Sequence, residues 1–289
     1  MLSDYHVHLR PDGPQATAES YFTAANADRY LAEAAERGIS ELGVSEHIHR
    51  FSAALSIWRH PFWVEQAVDD LDAYCDFVAA SDLKLGIEAD FVAGAEDRIA
   101  NLLDAHPFDY VIGAVHFIAD GAVDQDRWDV WELEHRDPDR VWARYFEHLA
   151  EAARSGLYDV LAHPDLVKVW GAGRPRPTVD PRRFYEPAVA AIAEAGVAVE
   201  ISTAGLRKPV NEIYPSREFA SLCVEAGVPF SLSSDAHVPE HVGHAYDLAL
   251  EMMSSVGIEE ICVFEGRQRR LEPLGAEVPG AEAGAEASR

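Results

Sequence analysis

The sequence predicts an α/β protein in which about seven parallel strands, each followed by a helix, close into a barrel. Three observations predict it. Short β-branched or apolar runs alternate with Ala-rich amphipathic stretches, and no long hairpin-like alternation interrupts that rhythm. No GxGxxG or GxxxxGK[ST] string follows the first strand, as an open nucleotide-binding sheet would have. His or acidic residues stand at the C-terminal end of nearly every strand, the rim where barrels place their chemistry.

Taken in order, a strand at 5–9 alternates Tyr5, Val7 and Leu9 with two histidines, and a helical pattern at 18–37 stops at Gly38. Strands at 41–46 and 84–91 bracket a helical pattern at 63–80, and a helix at 96–105 leads to a strand at 110–117. A long helix at 138–155 ends at Gly156 before a strand at 159–163; a helix at 181–195 ends at Gly196 before a strand at 198–202. A helix at 216–226, Gly227, a strand at 229–234 and a helix at 243–256 complete the series. Residues 49–62, 118–137 and 166–180 exceed usual βα loops and should shape a pocket on the rim. They carry Phe51, Trp58, Trp128, Trp131, Trp170, Arg174 and Arg176, which either pack the loops down or grip a small polar ligand with an anionic group. One domain thus spans 1–271, and 272–289, rich in Ala, Gly, Glu and Pro, reads as a disordered acidic tail.

The 289 residues carry 24 Lys+Arg against 50 Asp+Glu, a net charge of −26 that repels polyanions, so nucleic acid is excluded as a general partner. Asp4 stands where a signal peptide would be basic, and no run approaches a membrane span, so a soluble cytoplasmic protein is expected. Cys75, Cys223 and Cys262 are too scattered for a disulfide framework or a CxxC motif and read as small core residues.

On one strand, His6 and His8 point to one face and can reach one metal ion, although a hydrogen-bonded core pair would look the same. The other strand ends decide between these. SLSSDAH offers Asp235 and His237 at the same spacing, and Glu88 in GIEAD, His116 in GAVHF, His163 in VLAHPD and His47 in VSEH each lie near a strand end. Eight buried polar side chains on one rim are costly unless they coordinate something, which points to a metal centre of mixed His and carboxylate ligands. His60, His106, His135 and His148 have no paired partner and read as structural or exposed, while His241 and His244 either line the pocket or sit at a helix start.

These residues, with the strings GIEADF, HPFDYVIGAVHF, AARSGLYDVLAHPDL, STAGLRKPVNEIYP and SSDAHVPEHVG, resemble the polymerase-and-histidinol-phosphatase (PHP) family and its histidinol-phosphate phosphatase branch in particular. The resemblance implies a distorted (β/α)7 barrel with a trinuclear metal centre at the C-terminal rim of the strands. By position it implies that His6, His8, Glu88 and Asp235 bind a first ion, with Glu88 bridging to a second held by His116 and His163, and that His47 and His237 serve a third. The family usually supplies a further His shortly after HxH. Here DGP places Pro14 at that point, and Asp12 or His49 could replace the ligand or serve a turn instead. Glu46, where relatives have Asp, would support the ligands from behind.

Two to three divalent ions (Zn, Fe or Mn) lower the pKa of bound water toward ~7 and would attack as hydroxide, with no protein nucleophile required. Asp235 and His237 are the candidate catalytic residues, and Arg207 in AGLRKP and Arg174 in GAGRPRP the candidate phosphate clamps. The implied activity is a metal-dependent phosphomonoesterase acting on a small phosphorylated substrate, L-histidinol phosphate. The alternatives are another small ester, such as a nucleotide or sugar phosphate, and a catalytically silent metal-binding module.

Overall fold

The computed structural model describes residues 1–13, 16–134 and 137–275. Pro14, His135 and residues 276–289 of the expected tail lie outside these. Eleven strands run in the order β1 (Ser3–Asp4), β2 (Glu41–Val44), β3 (Lys84–Asp90), β4 (Tyr110–Ala114), β5 (Phe117–Ile118), β6 (Gly121–Ala122), β7 (Val160–Leu161), β8 (Ala198–Ser202), β9 (Phe230–Ser233), β10 (Glu260–Glu265) and β11 (Gln268–Pro273). Seven of them form one parallel sheet in the order β1-β2-β3-β4-β7-β8-β9. The expected strand count and direction hold. The sheet curls until its edges meet beyond β1 and β9: Val7 bridges Ala236 in parallel, with His8 N donating to Ala236 O at 2.7 Å. The result is a nearly closed, distorted (β/α)7 barrel.

The helices follow the expected apolar spacing but break where a side chain caps. The pattern at 18–37 becomes Ala18–Tyr21 and Ala24–Glu36, because the Thr23 hydroxyl accepts from Asn26 N at 3.3 Å and starts a new helix. The pattern at 63–80 likewise divides into Pro61–Gln66 and Leu71–Ala79, the second capped by Asp70 through Ala73 N. Gly38, Gly156, Gly196 and Gly227 all adopt positive φ, the backbone of a helix stop.

Two features escape the sequence. The strand expected at 110–117 ends at Ala114, and Phe117–Ile118 turns instead into a hairpin with Gly121–Ala122. A second antiparallel hairpin, β10–β11, caps the N-terminal end of the barrel. Phe264 packs edge-on to Tyr5, and Arg267 bonds Asp159 and Leu157 O. Its second strand continues through Glu272 and Pro273, two residues beyond the boundary placed at 271.

The barrel's lower interior is filled by Tyr110, fully buried, whose hydroxyl donates to Tyr5 O at 2.6 Å. Its ring occupies the space that side chains at Gly43 and Gly86 would need. Two residues after Gly86, on the same face of β3, Glu88 points into the upper interior; the glycine makes room for the aromatic floor beneath it.

Candidate metal centre

All eight side chains expected to ligate metal converge at the C-terminal mouth of the barrel. Glu88, 1% exposed, is the hub: its Oε2 lies 3.4 Å from His6 Nε2, 3.7 Å from His8 Nε2 and 2.5 Å from His47 Nδ1. Its Oε1 lies 3.5 Å from His116 Nε2 and 3.2 Å from His163 Nε2. Asp235, at positive φ directly after β9, brings Oδ1 to 3.4 Å from His8 Nε2 and 3.7 Å from His6 Nε2. The His8 ring stacks between His47 and His237, each centroid 4.2 Å away.

Four sets of donor atoms are close enough to share an ion: His6, His8, Asp235; His6, Glu88, His163; His47, Glu88, His116; and His8, His47, His237. The donors also fit cations chemically. His6 Nε2, His8 Nε2 and His237 Nε2 are buried without a hydrogen-bond partner, a costly arrangement for apolar surroundings and the expected one for metal ligands. Burial pushes the Glu88 carboxyl up, yet His47, His6 and His116 hold it well below the usual carboxylate range. Burial lowers His116, but Asp90 and Glu88 push it up to about 10.

Carboxylates that the sequence reading passed over orient these imidazoles. Glu200, in the middle of β8, accepts from His6 Nδ1 at 2.8 Å, from His163 N at 2.7 Å and from Ser233 Oγ at 2.5 Å. Asp90 does the same for His116 Nδ1 at 2.7 Å. Each fixes which ring nitrogen faces the centre. The signal was present: a lone carboxylate inside an apolar strand such as VAVEIS is too costly to bury without a partner. Glu46 accepts from Leu9 N at 2.8 Å and from Arg50, locking the turn after His8, and it lies 3.9 Å from His8 Nδ1.

Of the two candidate replacement ligands, Asp12 is brought to the cluster, its Oδ1 3.5 Å from His237 Nε2 and 4.0 Å from His47 Nε2. It is held there by Arg50 Nη2 at 2.7 Å. His49 instead faces Asp90, 3.6 Å away. A cavity of about 360 Å³ opens beside the cluster, lined by Asp12, His47, His49, Arg50, His116 and Lys208 among others.

The two arginines part ways. Arg207 donates to Ser234 O at 2.6 Å and Asp235 O at 2.9 Å, while its Nη1 is buried without a partner beside the centre. Arg174 bonds Asp129 at 2.7 Å and Asp126 at 3.3 Å and lies over Trp170, tying the 166–180 loop to the 118–137 loop. Lys208, which the sequence reading did not single out, lines the cavity, as neither Arg207 nor Arg174 does. The loop aromatics pack rather than grip. Phe51 and Trp131 are fully buried, Trp58 contacts Trp63 and Phe117, and Trp170 Nε1 donates to Val123 O. Arg176 pairs with Glu212.

Among the remaining histidines, His60 caps the helix Pro61–Gln66, His106 bonds Leu102 O, and His148 lies half-buried outside the cluster. His241 and His244 stand before the helix Tyr246–Val256 and do not line the cavity. Among the described residues no helix is long and apolar enough to cross a membrane.

Residues 17–204 match the family model described as PHP domain. A curated relative from Deinococcus radiodurans, named probable histidinol-phosphatase, is 32% identical over 281 residues, covering 94% of this chain and 99% of that one. The histidinol-phosphatase of Lactococcus lactis is 22% identical over 91% of this chain and 94% of its own. The solved structure of the Lactococcus lactis histidinol phosphate phosphatase, complexed with zinc, L-histidinol and phosphate, superposes with a TM-score of 0.73 at 19% identity, covering 93% of this chain and 98% of that one. That structural likeness is one of fold.

Proposed function

Because the chain belongs to the PHP family, we propose that it is a metal-dependent phosphomonoesterase that hydrolyses L-histidinol phosphate to L-histidinol and phosphate. The observation that carries this is Glu88, whose two oxygens face five imidazoles on one rim, a donor set suited to bridging metal ions. His6, His8, Glu88 and Asp235 would hold one ion and Glu88, His116 and His163 a second. His47, His237 and Asp12 would hold a third. Zinc, iron or manganese suits such mixed ligands.

When bound, the ions supply Lewis acidity and neutralise phosphoryl charge. The protein's own residues do the rest. Glu200 and Asp90 hold the ring tautomers, and Arg207 fixes the backbone of Ser234 and Asp235. The free Arg207 Nη1 and the Lys208 ammonium offer donors to phosphoryl oxygens. Asp235 and His237, 13% and 22% exposed and 3.5 Å apart, remain the candidate catalytic pair at the edge of the buried cluster. Local positive charge outweighs the distant acidic surface, screened over ~8 Å at physiological salt. Three unpaired, buried cysteines suit a reducing compartment, which supports the cytoplasm as the proposed location.

The test compares kcat/KM for L-histidinol phosphate, an aryl phosphate and a nucleoside monophosphate with the best metal. An advantage above about tenfold, ~1.4 kcal/mol of transition-state discrimination, is expected, and a smaller one removes the specific substrate while leaving the phosphatase.

The third ion gives a separate prediction. Asp12→Ala should lower the metal content by one ion per chain and leave the Glu88-linked ions in place, as elemental analysis and calorimetric titration would read. Unchanged stoichiometry and affinity would show that Asp12 only anchors Arg50.

A further inference from the structure

We propose that Asp124 sets substrate specificity, its carboxylate receiving a cationic group of the leaving alcohol while the phosphate lies on the metal centre. This rests on the phosphomonoesterase function above. Asp124 lines the same cavity as His47 and His116, together with Phe62, Gln66 and Phe117. The hairpin unforeseen in the sequence puts it there: β6 returns the chain to the rim, where Val123 N donates to His116 O at 2.8 Å and Val123 O accepts from Trp170 Nε1 at 2.8 Å. Asp124 therefore follows a residue pinned on both sides, one step from a residue bonded to a metal-ligand backbone.

Its Oδ1 is buried and makes no hydrogen bond. Other buried carboxylates pair through at least one oxygen: Asp90 with His116, Asp129 with Arg174, and Asp165 Oδ2 with Lys168 and Ser216 N. Asp124 belongs to none of the four convergent donor sets, and its charge acts on His116 without a direct ion pair among the described residues. A buried carboxylate oxygen left open costs stability, and a donor from a ligand removes that cost.

The polarity of the cavity then orders the substrate. The phosphoryl dianion belongs at the histidine cluster with Lys208, so the carboxylate meets the other end of the molecule. An ammonium or imidazolium there forms a charge-assisted hydrogen bond, and an uncharged alcohol leaves Asp124 unpaired. The recognised class is therefore small alkyl phosphates with a cationic leaving group, with the Phe62 and Phe117 rings covering its apolar part.

The experiment measures kcat/KM for wild type and Asp124→Asn, both loaded with metal, on L-histidinol phosphate, phenyl phosphate, an aminoalkyl phosphate with its deaminated analogue, and an imidazolylalkyl phosphate without the amine. Asp124→Asn should lose at least tenfold on L-histidinol phosphate, stay within about threefold on phenyl phosphate, and flatten the preference for a cationic over a neutral alkyl phosphate. Whichever cationic arm loses its preference, amine or imidazole, identifies the group that Asp124 meets. Equal losses on all substrates, or none on the cationic ones, overturn the proposal. Metal content and circular dichroism show that the variant is folded and loaded, and Asp124→Glu should restore part of the preference. A wild type indifferent to L-histidinol phosphate refutes the assigned substrate instead, and the aminoalkyl pair still decides the role of Asp124.

Discussion

Replacing Glu88 by Gln is expected to lower kcat by about a thousandfold or more and to remove at least one metal ion per chain, with the barrel still folded. A thousandfold corresponds to ~4 kcal/mol of lost transition-state stabilisation, within reach of one charge shared by two ions. Gln keeps the shape and one acceptor, so the loss isolates the charge that faces His6, His8, His47, His116 and His163. Elemental analysis, turnover at saturating metal and thermal melting check the three parts. Activity within tenfold of wild type would displace Glu88 from the centre of the site.

The ligands were legible in the sequence because burial makes them conspicuous. A histidine or carboxylate at the end of an apolar strand has no inexpensive bland explanation, and eight of them on one rim have none together. The supports were harder to read. Glu200 lies within its strand rather than at its end, and Asp90 closes β3 only two residues after the ligand Glu88; what identifies them is a partner elsewhere in the chain, His6 across 194 residues for Glu200 and His116 across 26 for Asp90. The place of Asp12 depends on Arg50, whose guanidinium bends the segment after His8 toward His237, a contact that spacing does not encode. The ion pairs of Arg174 were not legible because its partners, Asp126 and Asp129, belong to another loop more than forty residues earlier. The β10–β11 hairpin was missed although ICVF is a plain strand run, because its place beneath Tyr5 and Tyr110 follows from closure of the barrel.

That closure yields the prediction of largest effect on stability. A Cβ at Gly86 would sit 2.2 Å from Tyr110 Cζ, and the ring has nowhere to go: it is fully buried, its hydroxyl is tied to Tyr5 O, and Phe264 packs beside it. Gly86→Ala is therefore expected to destabilise by about 3 kcal/mol, the upper part of the range for overpacked cores. Tyr110→Leu alone should cost a similar ~3 kcal/mol, since it leaves Tyr5 O unpaired and a void under the site. Combined, the two should cost at least about 1 kcal/mol less than their sum, because the smaller ring-free side chain admits the new methyl group. Chemical denaturation of the four proteins gives the coupling directly. The same strain should reach the chemistry. Glu88 lies two residues along β3 on the same face, so Gly86→Ala should also weaken metal binding, and adding Tyr110→Leu should restore part of it. Additive costs, or metal binding indifferent to Gly86, would mean that the aromatic floor and the metal centre are independent parts of the barrel.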